Sequence, residues 1–274
     1  MNTYSMTKLA LALTLAVAGT PLRAEDQTDQ KARSEQQERR ENKALPTHAQ
    51  LTAALKKVVT EGNNGGFGLN MWATLVDRDG EVSAVTFSGS DRGDQWPGSR
   101  VISAQKASTA NAFGLPGLPL STANLYSAVQ PGGSLFGLQE SNPVDPQVAY
   151  AGNSRNYGQA NDPMVRRKIG GVNVFGGGLG LYNKEGRLVG AVGVSGDASC
   201  TDHIIAWKIR HELGLDYLPG GVSPTHDDNI VYDIVMDANG HLTSPGGWGH
   251  PKCDDAAAAI AAALPVTHPV RIKP

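Results

Sequence analysis

Two stretches rich in Val, Leu and aromatic residues, each doubling back around an acidic-and-glycine turn, constrain this chain more than any other feature. The first runs from Met71 to Asp77, turns through Arg78-Asp79-Gly80 and returns from Glu81 to Phe87. The second runs from Val174 to Tyr182, turns through Asn183-Lys184-Glu185-Gly186 and returns from Arg187 to Val194. Runs of this kind, broken only by a short polar turn, are antiparallel hairpins. Strands joined by hairpins rather than crossovers build an antiparallel sheet, and the helical segments around them must pack on it. The fold class is therefore α+β.

The helical segments are readable from their spacing. Thr47 is a good N-cap, and Leu51, Leu55, Val58 and Val59 repeat at helical spacing up to Glu61, where Gly62–Gly66 ends the run. Between the hairpins, Arg100–Phe113 is rich in Ala and Ser, small enough on one face to lie close against a sheet. A short helix is expected at Ser121–Ala128, another from Thr201 to Leu213, a strand at Ile230–Met236 and an Ala-rich helix at Asp254–Leu264. Residues 130–172 hold many Gly, Pro, Asn and Asp residues with little periodicity and read as a long insertion. Loops of that length inside a domain tend to be functional.

The N-terminus reads as an export signal. Lys8 precedes the uncharged apolar run Leu9–Ala18, and small or turn-prone residues lead to Leu22-Arg23-Ala24. That run is about ten residues, half of what a membrane-spanning helix needs, so residues 1–24 are expected to be cleaved and no membrane span to remain. The chain is then expected in the periplasm or secreted. Residues 25–45 are almost wholly polar and form an expected flexible leader. Removing residues 1–24 leaves 22 basic against 26 acidic side chains, with no basic face for nucleic acid. Cys200 and Cys253, an even pair in an exported chain, read as a disulfide tying the C-terminal region back to the core.

The most specific local pattern pairs Lys106, in Ala104-Gln-Lys-Ala-Ser-Thr-Ala-Asn111, with the turn Gly193-Val-Ser-Gly-Asp-Ala-Ser-Cys-Thr-Asp-His203. Together with Val76-Asp77-x-x-Gly80 of the first hairpin, these motifs resemble the GlcG/HbpS haem-binding (haem-degrading-domain) family over residues 47–214. The resemblance implies a profilin-like fold, an antiparallel five-stranded sheet with helices on both faces. It also implies homo-oligomers and non-covalent binding of haem or a related carboxylate-bearing ligand. The domain layout is then 1–24 signal peptide, 25–45 leader, 46–214 GlcG/HbpS-like domain and 215–274 C-terminal extension. The signal peptide, the insertion, the extension and His203, where the family usually has an acid, depart from the family pattern.

On this reading a small-molecule ligand sits in a cleft between the sheet and helix 100–113, closed by the insertion. Gly193, Ser195 and Gly196 offer backbone amides, Lys106 and Arg100 meet carboxylates, and Asp202 and His203 complete the set. His203 is the candidate haem-iron ligand, against a surface or capping role; for Lys106 the alternative is a salt bridge to Asp77 or Asp202. Covalent haem attachment is excluded by the lack of Cys-x-x-Cys-His. A binding protein is favoured over an enzyme. The alternatives are catalysis by Lys106, Asp202 and His203 as acid/base groups, or an oligomeric partner-binding module.

Other patterns are weighed and set aside. Cys200-x-x-His203 with His250-x-x-Cys253 has zinc-like spacing. Ser103-x-x-Lys106 matches a serine-hydrolase motif, but Lys168-Ile169-Gly170 lacks its hydroxyl residue and follows Ser154 too closely. Asp77-Arg78-Asp79-Gly80 is a hairpin turn before it is a calcium loop. Trp96 is the one tryptophan expected near a ligand mouth.

Overall fold

The computed structural model describes residues 45–271, together with Asp29 and Lys31. The expected signal peptide, and the leader apart from those two positions and Leu45, lie outside the described residues.

Helix α1 (His48–Glu61) starts where the sequence places it. Thr47 and Gln50 form a reciprocal capping box, and Leu51, Ala54, Leu55 and Val58 make its buried face. The two hairpins follow as β1 (Trp72–Asp77) with β2 (Val82–Phe87), and β3 (Gly178–Tyr182) with β4 (Leu188–Ser195). They join through the β1–β4 pair into one antiparallel sheet of order β2-β1-β4-β3. Helix α2 (Ser99–Phe113) covers one face, packing with Trp72, Val76, Val85 and Ala191. The other face takes α1 and α5 (Ser199–Glu212), around Ala73, Leu75, Val192 and Val194.

Glycines let α2 come close to the sheet. Gly193 sits between its cross-strand partners Thr74 and Gly178. A Cβ on Gly193 would lie 1.9 Å from the Ser103 carbonyl oxygen and 2.4 Å from the Ala107 nitrogen. One on Gly178 would lie 2.5 Å from the Lys106 carbonyl oxygen. The Ala/Ser stripe of α2 therefore rests on a lane of bare backbone.

The sheet has four strands among the described residues, not the five that the resemblance implies. Where a fifth would add to β3, other groups take its free edge. Gly178 N donates to Thr122 Oγ1 (2.9 Å), Arg210 donates to Gly180 O (3.2 Å), and Tyr182 N donates to Leu215 O (2.7 Å), with a single parallel bridge from Tyr182 to Asp216. The β2 edge is closed by the insertion, through Val82 N to Arg167 O (2.9 Å) and Arg166 N to Val82 O (2.8 Å).

Two further expectations need correction. Ser121–Ala128 forms two 3₁₀ turns, Thr122–Leu125 and Ser127–Val129, rather than an α-helix; Asn124 is drawn out to bond Ser121 and the Asn229 carbonyl. The strand expected over Ile230–Met236 shrinks to β5 (Val235–Met236), paired with β6 (Leu242–Thr243) in a separate ribbon. Ile230 is instead buried as a plug in the core. The insertion carries α3 (Leu138–Ser141) and α4 (Pro146–Ala149), and the Ala-rich helix is α6 (Asp255–Thr267), N-capped by Asp254.

Candidate functional site

The residues that the sequence groups together fall into two places. Lys106, on α2, and Asp202, on α5, meet at the end of β4. Lys106 Nζ donates to Asp202 Oδ2 at 2.6 Å and to the Val194 carbonyl at 3.2 Å, with both side chains almost wholly buried. Asp202 Oδ1 also accepts from Asp197 N (3.0 Å). Burial pushes the Asp202 carboxyl up to about 6, against the pull of the Lys106 charge. Of the two salt-bridge partners foreseen for Lys106, Asp202 is the one found; Asp77 turns into its own hairpin, accepting from Asp79 N and Glu81 N.

Arg100 lies elsewhere. From the first turn of α2 it points into the insertion, where Nε donates to Asp162 Oδ2 (2.8 Å), Nη2 to Asp162 Oδ1, and Nη1 to the Ala149 carbonyl (2.8 Å). Its guanidinium stacks 3.6 Å from the centre of the Tyr157 ring. Arg100 and Lys106 therefore do not converge on one carboxylate-bearing ligand. Ser195 and Gly193 belong to the ladder, paired with Trp72 and Thr74, and at Gly196 (φ 156°) Asn70 and Met71 leave no room for a Cβ.

His203 is fully buried inside α5, neither a surface nor a capping residue. Its Nε2 lies 3.2 Å from Asn229 Oδ1 and 3.1 Å from the Ile230 nitrogen, while Nδ1 is enclosed with no partner. Burial, then the nearby charge of Arg210, pulls its pKa down to about 3, so the ring is neutral. His250 approaches the same helix end from the extension, accepting from Gly176 N (3.3 Å) and lying tilted against the Tyr126 ring. Cys200 and Cys253 form the expected disulfide. The disulfide takes up both thiols that the zinc alternative needs, and among the described residues no cluster of His, Cys, Asp or Glu is arranged to hold a metal. The hydrolase motif separates as well, since Ser103 Oγ bonds Thr74 and the Arg100 carbonyl while Lys106 faces Asp202.

Sequence reasoning missed one concave region. A cavity of about 370 Å³ lies under the glycine-rich loop 62–69, with Val59, Ile205, Asp197 and Thr201 in its walls. The loop wraps the Asp197 carboxylate, which accepts from Phe67 N (2.9 Å) and Leu69 N (3.0 Å). The density of glycines in Gly62-Asn63-Asn64-Gly65-Gly66-Phe67-Gly68 was the signal that could have found it, and Gly62, Asn63, Gly65, Gly66 and Gly68 do adopt positive φ. Trp96 is half-exposed, its carbonyl accepting from the Trp72 indole.

The model of the family described as haem degrading protein HbpS-like matches residues 46–210. The chain belongs to the HbpS-like family. No curated protein matches the sequence. Among solved structures, protein ORFY of Klebsiella pneumoniae is 26% identical, with 61% of this chain and 90% of that one covered and a TM-score of 0.41. A PduOC–haem complex is 24% identical over 61% of this chain and 94% of the other, with a TM-score of 0.42. A double mutant of HbpS from Streptomyces reticuli is 17% identical over 75% and 99%, with a TM-score of 0.40. At such TM-scores these likenesses carry no argument about ligand or assembly. Membership of the HbpS-like family rests on the sequence match alone, which ends before the extension begins.

Proposed function

We propose that this HbpS-like protein binds haem non-covalently in an oxidising compartment outside the cytoplasm. The observation that carries this reading is the family match over residues 46–210. The Cys200–Cys253 disulfide supports the compartment, because such bonds persist where thiols are not kept reduced. The export signal, the 1–24, 25–45, 46–214 and 215–274 layout, the profilin-like scaffold and the homo-oligomer belong to the same reading.

The residues foreseen for haem do not fit it as they now stand. An axial imidazole needs a nitrogen lone pair facing open space, and His203 is walled in by Asn229 and Ile230. The cations foreseen for the carboxylates, Lys106 and Arg100, are already neutralised by Asp202 and Asp162. The acid/base alternative built on Lys106, Asp202 and His203 meets the same enclosure. The test is an absorbance titration of the protein, without residues 1–24, with haemin. A sharp Soret band saturating at one haem per chain is expected. Only the broad spectrum of free haem, at every ratio, would overturn the reading.

A further inference from the structure

The cavity beside loop 62–69 is framed by a chain segment that is pinned at both ends. At one end the loop's amides take the Asp197 carboxylate just ahead of α5. That carboxylate accepts from Phe67 N (2.9 and 3.1 Å), Leu69 N (3.0 Å) and Ala198 N (2.6 Å). At the other end Lys208 of α5 donates to the Asn63 carbonyl (2.9 Å) and to Asn64 Oδ1 (2.7 Å). Gly66 comes closest to the helix, where a Cβ would lie 2.3 Å from both Asp197 Oδ1 and Thr201 Oγ1. A side chain at 66 would push the loop off α5.

Inside that frame about 370 Å³ stays open, a size that small-molecule sites take. Val59 of α1 and Ile205 of α5 supply apolar walls, and Phe67, three-quarters exposed, stands at the rim. One polar group in the wall is left over. Thr201 is 1% exposed, and its hydroxyl has no hydrogen-bond partner in the protein. Residue 66 puts no side chain over it. Buried hydroxyls are paired as a rule, so an unpaired one in a cavity wall calls for a partner from outside the chain.

We infer that this cavity binds a small, flat, uncharged molecule bearing one hydroxyl, of the aryl-alcohol class. Its apolar body lies between Val59 and Ile205 beside the Phe67 ring, and its hydroxyl bonds Thr201 Oγ1. Either oxygen can be the donor, since both are O–H groups. The charges around the cavity exclude ionic ligands. An anion would meet the buried Asp197 carboxylate, with no cationic side chain in the cavity wall to offset it. A cation would find that carboxylate already accepting four bonds from three backbone amides. The site differs in place and in ligand from the haem reading and does not rest on it.

The test compares benzyl alcohol with toluene, which shares the ring and lacks the hydroxyl. Each is titrated into isotope-labelled protein while the backbone amide resonances are followed by NMR. Saturable shifts are expected at Gly65, Gly66, Phe67 and Gly68. Benzyl alcohol should bind about fivefold more tightly than toluene, the effect of one neutral hydrogen bond. Thr201→Val keeps the side-chain shape and should erase that preference, with toluene binding unchanged. Val59→Trp, a larger ring at a half-buried wall position, should abolish binding of both probes. No saturable shift in the loop with either probe would overturn the site, as would binding that survives Val59→Trp. Equal affinity for the two probes in the wild type would overturn the role of Thr201 and the ligand class with it. Should Thr201→Val not fold, the two probes on the wild type and Val59→Trp still decide the matter. A Soret band with haemin in a protein that ignores both probes would overturn this site and leave the haem reading standing.

Discussion

The insertion and the C-terminal extension are two additions to one sheet, and both are anchored in a similar way. In each, a core helix sends a buried arginine outward to a buried aspartate in the added segment. Arg100, at the start of α2, grips Asp162; Arg210, near the end of α5, grips Asp228 through two bonds of 2.6 and 2.7 Å. Each guanidinium also lies over an aromatic ring, Tyr157 for Arg100 and Trp207 for Arg210. The difference lies in what else each segment does. Asp162 organises its own loop, accepting from Gly158 N and Met164 N, and the insertion covers the β2 edge. The extension adds a disulfide, buries Ile230 in the core and encloses two neutral histidines. The insertion, held by its ion pair, by backbone bonds to β2 and by Met164 and Ile169 in the core, is a fixed cover, whereas the extension also carries a disulfide and two neutral histidines that can answer to its surroundings.

Breaking the two anchors separately is the most severe way to test that contrast. Asp162→Ala and Arg210→Ala each leave a buried charge without its partner, at a cost of about 3–5 kcal/mol. Urea denaturation measures the loss, and limited proteolysis locates it. Cleavage is expected within 130–172 for Asp162→Ala and within 215–253 for Arg210→Ala. A single shared cleavage pattern would show that the additions are not independently anchored.

Acid should separate the two segments more gently. His203 and His250 are held down to about 3 and about 4, below the usual histidine range. The folded chain therefore binds fewer protons than the unfolded chain once pH drops below about 6.5, and stability is lost as pH falls. Asp202, raised to about 6, works the other way: it takes its proton earlier in the folded state and regains stability as pH falls through that value. Two histidines against one aspartate leave a net loss of about 1.4 kcal/mol per pH unit between about pH 6 and 4. Hydrogen exchange should show that loss in the extension and not in the insertion, and His203→Gln should nearly flatten the slope. A loss equal in both segments would contradict the assignment.

The smallest effect concerns caps. Asp254 accepts from Ala257 N at the start of α6, and Asp145 accepts from Gln147 N at the start of α4. Alanine at either cap should cost about 1 kcal/mol, read as a shift in the urea midpoint. Faster amide exchange is expected in the capped helix alone.

The same contrast explains what could be read from the sequence. The hairpins were legible as apolar runs, buried on both faces, broken by short polar turns, and α1, α2, α5 and α6 by helical spacing or small-residue composition. The pairing of Lys106 with Asp202 was within reach, since both lie in the motifs by which the sequence resembles its family and Asp202 was one of the two partners foreseen. The partners of Arg100 and Arg210 were not, because Asp162 and Asp228 lie in irregular segments where no periodicity marks an inward-facing position. Asn229 was missed for the same reason: Asp227-Asp228-Asn229 looks like a polar loop, yet all three are buried. The strand expected at Ile230 failed because its apolar residues fill a gap between helices instead of joining a ladder.

Both borders of the sheet are finished by segments that arrive late in the chain. The β2 side needs residues 166–168 and the β3 side needs residues 215–217. An uncovered border is a template on which a second polypeptide can lay a strand. A chain delivered from its N-terminus therefore keeps a sticky margin until its last third has docked, and damage there invites clumping before it harms the finished protein. Once both borders are sealed, any stacking of copies has to use helical or loop surfaces, because strand-by-strand growth has no place left to start.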